Sequence, residues 1–245
     1  MNFDIVIMAA GKGTRMNSEL PKVLHTLQGK PMVQHVLETA AKMGPDRIIT
    51  VIGYRGDMVQ NFAERLPLDR TLRFAKQEPQ LGTGHAVQMA IPFRSNDDGV
   101  TIVLNGDVPL IQVPTLSEMY CGCAGVRLAL LTVFMDDPTG YGRIVRNDQG
   151  KIVGIVEQKD ATPEQREIKE VYTGILAAPT GHLAYWVNNL SCDNAQKEYY
   201  LTDIVAAAVR DGIDVISVHP MAKVEVIGVN SPQQLAELEE MLETA

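Results

Sequence analysis

Cysteine is scarce in this chain: Cys121, Cys123 and Cys192 are the only three among 245 residues. So small and odd a number in so long a chain excludes a disulfide framework as the basis of the fold. Cys121-Gly122-Cys123 could begin a metal site, but no second Cys/His pair stands at zinc spacing, so both read as ordinary buried or half-buried thiols. Long apolar runs are missing as well. No stretch approaches the ~18 residues of a membrane span, and the start of the chain has no basic segment leading into an apolar run. The expectation is a cytoplasmic, enzyme-sized protein that does not engage a membrane. Positive charge is in deficit, with 22 Lys and Arg against 30 Asp and Glu and a net charge of −8. Nucleic-acid-binding domains are usually basic, which argues against that partner class. A single anionic small molecule stays open, because local cations can hold one inside an acidic protein. Repeats, low-complexity segments and linkers are absent, and the five histidines form neither a metal cluster nor a triad.

What is present is an ordinary globular composition, 45% hydrophobic and 21% charged, arranged as alternating strand and helix signals. Residues 3–9 read as a buried strand. Residues 31–43 put Met32, Val33, Val36, Leu37, Ala40 and Ala41 on one helical face. The β-branched run 47–53 is a strand, followed by a helix at 56–66, a strand at 71–76, a helix near 84–91 and a strong strand at 100–107. Short connections in this run predict a mostly parallel sheet with helices on both faces. From about residue 126 the pattern turns antiparallel. It has a strand at 126–134, a hairpin at 142–157 turning at Asn147–Gly150, and a strand at 172–178. Helices follow near 181–190 and 200–211, then short strands near 213–218 and 223–227, then a helix at 231–243. This part is expected to join the same sheet.

The stretch after the first strand, "AAGKGTRMNSELPK" at 9–22, carries most of the chemistry. Gly11 and Gly13 can take positive φ and let backbone N–H groups approach a phosphate, while Lys12, Arg15 and Lys22 add charge. Pro21 fixes its own φ and restricts residue 20, which aims Lys22. A dinucleotide fingerprint is excluded because Met16 stands where the third glycine belongs, and a Walker A loop because the order is wrong. A solvated charged loop is the alternative reading. Asp107 reads equally as a turn or helix-start residue before Val108-Pro109, and Asn230 as a helix N-cap. Glu157 alone is a solvated strand-end charge.

The loop resembles the signature of sugar-nucleotide pyrophosphorylases and related nucleotidyltransferases. Further stretches are similar to the uridyltransferase domain of the bacterial N-acetylglucosamine-1-phosphate uridyltransferase family: "LPKVLH" (20–25), "EPQLGTGHA" (78–86), "NGDVPLI" (105–111), "DDPTGYGRI" (136–144), "IVEQKDAT" (155–162), "EYYLTDI" (198–204) and "GVN" (228–230). The similarity runs in order from residue 5 to about 238. It implies a Rossmann-like nucleotidyltransferase fold of the α/β class, with a mixed, mostly parallel sheet and a smaller antiparallel sugar-binding part. It implies one domain over 1–245, with a nucleotide-binding half to about 125, a sugar-binding half at about 126–230 and a C-terminal helix at 231–245.

The resemblance also assigns roles. Arg15 and Lys22 bind the triphosphate of UTP and serve catalysis, Lys22 nearest the α-phosphate. Met8, Ala9, Ala10, Gly11, Gly13, Asn105 and Gly106 face the nucleotide, while Gln77, Gly82 and Thr83 meet the uracil. Asp107 and Asn230 hold Mg²⁺. Gly142, Glu157, Tyr172 and Thr202 line the sugar pocket. The implied reaction is uridylyl transfer from UTP to a sugar-1-phosphate, N-acetylglucosamine-1-phosphate first among them. A different base or sugar, or a UDP-sugar-binding regulatory protein without turnover, stands as the alternative.

Three departures from the family matter. Tyr172 stands where the pattern has Asn, and Asn105 where close relatives often have Tyr. If aromatic bulk has moved from one wall of a pocket to another, residues 105 and 172 must lie close together. The family's C-terminal left-handed β-helix, which acetylates and forms trimers, has no hexapeptide-repeat counterpart in these residues, which read as a stand-alone relative or as part of a longer protein, so neither property carries over from the resemblance and the oligomeric state stays open.

Overall fold

The computed structural model describes residues 2–244. Strand β1 (Phe3–Ala9) leads through the glycine-rich loop to a small hairpin, β2 (Thr26–Leu27) and β3 (Lys30–Pro31). Then come α1 (Met32–Met43), β4 (Arg47–Ile52), α2 (Gly56–Ala63), β5 (Leu72–Lys76), α3 (Thr83–Ala90), β6 (Val100–Asn105) and α4 (Val113–Cys123). The remainder is β7 (Leu128–Phe134), β8 (Gly142–Arg146), β9 (Ile152–Val156), α5 (Pro163–Arg166), β10 (Glu170–Pro179), α6 (Thr180–Asn188), α7 (Ile204–Arg210), β11 (Val215–Val218) and α8 (Pro232–Glu243).

One nine-stranded sheet runs β11-β7-β10-β6-β1-β4-β5, with β8 attached to β10 and β9 to β8. β1 pairs in parallel with β4 on one side and β6 on the other, and β4 pairs in parallel with β5. β10 reverses direction and pairs antiparallel with β6, β7 and β8, while β11 returns parallel to β7. The antiparallel half thus extends the parallel one. β1 is buried on both faces. Ile5 and Ile7 point into one core with Val33, Val36 and Leu37 of α1 and Leu116 and Met119 of α4. Val6 points into the other, with Val87 of α3, Leu183 and Trp186 of α6, and Ile204 and Val205 of α7. The period of two in the strands therefore makes a three-layer sandwich.

Differences from the sequence reading have physical causes. Residues 223–227 alternate like a strand, yet Lys223–Val226 is a 3₁₀ turn. The buried Glu225 carboxylate accepts the Thr115 hydroxyl at 2.6 Å and the Ala222 N–H at 3.1 Å, and this closes the turn. The segment expected as a helix from 200 begins as a 3₁₀ turn, Leu201–Asp203, before α7. α4 was not expected at all. It carries Cys121, which is exposed rather than buried, and Cys123, whose burial pushes the thiol up to about 11.

β1 lies where the chain switches from building the sheet on one side to building it on the other. In open α/β sheets such a switch point leaves a crevice beyond the carboxyl ends of the strands. The loop after β1 and the loop after β6 both enter it. A second opening arises because β10 leaves β6 and takes up β8 as its neighbour. Gly174, at φ 89°, sits at that fork, and a Cβ there would stand 2.2 Å from the Asn105 amide nitrogen.

Candidate active site

Lys22 is the centre of the site. Its ammonium donates to Asp107 Oδ2 and, at 2.9 Å, to Asn230 Oδ1, joining residues 85 and 208 positions away in the chain. The stem of Lys22 passes over Gly13, where a Cβ would lie 2.5 Å from Lys22 Cβ. Gly13 also has φ 64°, so two independent reasons require glycine there. Gly11, by contrast, is not in the left-handed region and has open space around its α-carbon. The loop's positive φ therefore serves to seat Lys22. Lys12 turns away, its ammonium 5.3 Å from the centre of the Tyr54 ring.

Asn230 reaches Asp107 because the Val229 N–H donates to the Asp107 carbonyl at 3.0 Å. Val229 and Leu238 of α8 pack on Leu27 and Met32, which holds this crossing in place. Ser231, not Asn230, caps α8, its hydroxyl accepting from the Gln234 N–H at 3.2 Å. The Asn230 side chain is thereby spared for the cleft. One carboxylate and one amide oxygen converge on a cation, the Lys22 ammonium. The donor set is hard and small, which fits an ion such as Mg²⁺ that keeps most of its shell for water and phosphate. Asp107 lies two residues beyond β6, with its side chain 18% exposed.

Two clefts meet at Asp107 and Asn105. The first, about 340 Å³, is lined by Met8, Ala9, Ala10, Gly11, Lys22, Gln77, Gly82, Thr83, Asn105 and Asp107, all expected from the sequence, together with Gln80 and Glu198. The second, about 200 Å³, holds Arg15, Asp107 and Asn230 with Thr139, Gly140, Tyr141 and Gln234. Gly106 works beneath them. Its N–H donates to the Met8 carbonyl at 3.0 Å, and a Cβ would stand 3.1 Å from that oxygen.

The far wall of the first cleft is rigid. Gln77 is 5% exposed, and its amide nitrogen donates to the Gly82 carbonyl at 2.9 Å and faces His85 Nδ1 at 3.4 Å. The amide oxygen is left as the group to present to a ligand. Gly82 has φ 105°, and a Cβ there would lie 2.7 Å from the Tyr199 carbonyl. That carbonyl accepts the Gly84 N–H at 2.8 Å, and the Tyr199 N–H donates to the Leu81 carbonyl at 2.8 Å. Thr83 has a structural duty, accepting the Leu201 N–H at 3.1 Å.

Gly142, Glu157, Tyr172 and Thr202 converge in a third place and line neither cleft. Gly142 pairs with Tyr172 across β8 and β10, and a Gly142 Cβ would lie 3.7 Å from Glu157 Oε1. The Thr202 hydroxyl donates to the same oxygen at 3.0 Å. Burial raises the Glu157 carboxyl above its ordinary range, the Thr202 bond lowers it in part, and Asp203 and Asp160 raise it further. Tyr172 is 7% exposed, and its hydroxyl is buried without a partner among the described residues. The next residue, Thr173, accepts the Asn105 amide on its carbonyl at 3.2 Å. The Asn105 amide thus reaches the residue that follows Tyr172 in β10, not Tyr172 itself.

Sequence reasoning left out Gln80, whose amide donates to the Ala10 carbonyl under the first cleft, and Tyr141, which lines the second. Burial raises the Tyr141 phenol, with a further contribution from the Asp107 charge. Both residues lie inside stretches that had been singled out. The missing signal was their side-chain direction.

The fold and the two joined clefts define the class: an NTP transferase domain. Residues 5–139 match the model of the MobA-like NTP transferase domain. The bifunctional protein GlmU of Methylibium petroleiphilum is 56% identical over 243 residues, covering 98% of this chain and 53% of that protein. GlmU of Pseudomonas aeruginosa PAO1 is 55% identical over 98% of this chain and 51% of its own length. A nucleotidyl transferase from Methanothermobacter superposes with a TM-score of 0.69 at 17% identity, covering 100% of this chain and 99% of that one, which speaks for the fold alone. The chain belongs to the family of MobA-like NTP transferase domains, and it spans about half the length of the GlmU relatives it matches. No helix among the described residues is long and apolar enough to cross a membrane.

Proposed function

We propose that the chain transfers a uridylyl group from UTP to N-acetylglucosamine-1-phosphate in a Mg²⁺-dependent reaction, giving a UDP-sugar and pyrophosphate. The observation that carries this reading is the meeting of Lys22, Asp107 and Asn230 at the junction of two clefts, one walled by Gln77 and Gly82. The first cleft takes the nucleoside. The Gln77 amide oxygen, fixed by the bonds its nitrogen makes, accepts from a base N–H, which favours uracil over cytosine. The sugar phosphate enters through the second cleft. Its phosphate oxygen attacks the α-phosphorus, a new P–O bond forms, and the bond to the β-phosphate oxygen breaks as pyrophosphate leaves. The attacking oxygen is already ionised, so no protein base is needed and catalysis is positioning and charge stabilisation. Lys22 and Arg15 stabilise the charge that develops on the phosphoryl oxygens. Asp107 and Asn230 hold Mg²⁺, which when bound neutralises phosphate charge. The cluster of half-buried Glu157 with buried Thr202 and Tyr172 supplies acceptor and donor groups for sugar hydroxyls. A different sugar-1-phosphate is the second reading, favoured by the bulk of Tyr172 in that cluster.

The test is pyrophosphate release with Mg²⁺, crossing UTP, dTTP, CTP and GTP with a panel of sugar-1-phosphates. Turnover with UTP and N-acetylglucosamine-1-phosphate is the expected result. Turnover with UTP and another sugar alone moves the reading to the second form. Silence across the panel overturns it.

A further inference from the structure

The contact between Lys22, Asp107 and Asn230 does more than gather three residues. Asp107 Oδ2 and Asn230 Oδ1 converge on one position, and the Lys22 ammonium stands in it. The Lys22 and Asp107 side chains are only 14% and 18% exposed, so the carboxylate has little water to fall back on. A part-buried carboxylate without a cation is costly, and the ammonium relieves that cost with charge-assisted hydrogen bonds. The same oxygens are the donors read above as metal ligands.

Resting on that reading, we propose that Lys22 is a placeholder for the divalent cation. Its ammonium holds the position between Asp107 and Asn230, and a metal ion binding there displaces it into the adjoining phosphate cleft. Among the described residues, Lys22 is the only cationic side chain that lines the first cleft, so a displaced ammonium still faces that space. Its stem is seated over Gly13, which leaves the outer methylenes to make the movement.

The exchange has an electrostatic consequence. With Lys22 in place, one positive and one negative charge cancel. After exchange, a doubly charged ion sits on Asp107 and a freed ammonium stands beside it, so the local charge rises by two. A polyanion in the cleft offsets that rise. Metal and triphosphate binding are thus coupled, and the coupling is reciprocal. A metal ion alone must expel Lys22 without that compensation, so it binds weakly to the nucleotide-free protein.

The experiment uses Mn²⁺ alone, without nucleotide, with free ion followed by electron paramagnetic resonance. Lys22→Met keeps the stem and removes the competitor, so Mn²⁺ binding is expected to tighten by about tenfold or more, the worth of hydrogen bonds to a charged group. Asp107→Asn is expected to abolish that binding. Unchanged or weaker binding in Lys22→Met, with binding still lost in Asp107→Asn, overturns the placeholder and leaves the metal site standing. Binding that survives Asp107→Asn overturns both. A second measurement needs no variant: amine acylation of Lys22 in the wild-type protein, read by mass spectrometry. Acylation of Lys22 is expected to be slow without metal and to rise when Mn²⁺ is added. A rate insensitive to Mn²⁺ overturns the exchange.

Discussion

Two polar clusters lie at the same end of the sheet and are built on opposite principles. Around Lys22, Asp107 and Asn230, opposite charges meet in the wall of open clefts, and each of the three side chains has a partner. Around Glu157, Tyr172 and Thr202, a half-buried acid has one hydroxyl donor and is flanked by the negative charges of Asp160 and Asp203, and a buried phenol has no partner among the described residues. The first cluster is charged and open to the clefts, which suits phosphate and metal. The second is under-satisfied for hydrogen bonds and hostile to anions, which suits the neutral, hydroxyl-rich part of a ligand. A sugar phosphate has both characters, and its two ends would sort themselves between the clusters.

The largest effect is expected from the charged cluster. Asp107→Ala should lower turnover by about 10³-fold or more and abolish the response to added Mg²⁺, since charge neutralisation at the phosphoryl group goes with the carboxylate. A Mg²⁺ titration of pyrophosphate release checks it. An undiminished Mg²⁺ response breaks the ligand assignment. Lys22→Ala should lower turnover by roughly 10²–10³, the range for one preorganised charge-stabilising donor. Normal turnover in that variant removes Lys22 from the chemistry.

These variants probe what local sequence patterns make legible only in part. The parallel core was readable because β1, β4 and β6 are apolar runs buried on both faces. α4 was not, because Ser117, Glu118, Gly122 and a proline in the first turn dilute its apolar period. The turn at Lys223–Val226 depends on a hydrogen bond from Thr115, which no window of sequence contains. The candidate site divides the same way. The glycine-rich loop announces itself, but its purpose in seating Lys22 is a contact across the loop. Asn230 meets Asp107 through one backbone hydrogen bond and the packing of α8, so only family resemblance joined them in advance.

The uncompensated cluster should show itself in selectivity. Tyr172→Asn removes the buried phenol near Glu157, one residue before Thr173, whose carbonyl accepts the Asn105 amide. The ratio of kcat/KM between N-acetylglucosamine-1-phosphate and other sugar phosphates should move toward the former by about tenfold, the scale of one polar group gained or lost in a pocket. An unchanged profile means that Tyr172 packs the core and does not choose the sugar.

The smallest effect is the sharpest test of the comparison, because it sets the half-buried Glu157 against a buried acid, Glu170. Burial raises the Glu170 carboxyl as well, but the Arg146 guanidinium, bonded to both oxygens at 2.7 Å, more than offsets it and leaves the group below its ordinary range. The two acids therefore link folding to pH with opposite signs. Glu157 holds a proton more tightly folded than unfolded. Its carboxyl favours the folded state most at low pH, and stability falls as pH rises from the ordinary carboxylate range to its raised value. Glu170 holds a proton less tightly when folded. Its contribution is present above the ordinary range and is lost as pH falls through its lowered value. Urea denaturation between pH 4 and pH 8 should show Glu157→Gln gaining on the wild type as pH rises. Glu170→Gln should be less stable than the wild type at neutral pH, the gap narrowing toward acid. Parallel pH profiles for the two variants would mean that Glu157 has a cationic partner of its own, and the contrast between a compensated and an uncompensated cluster would fail.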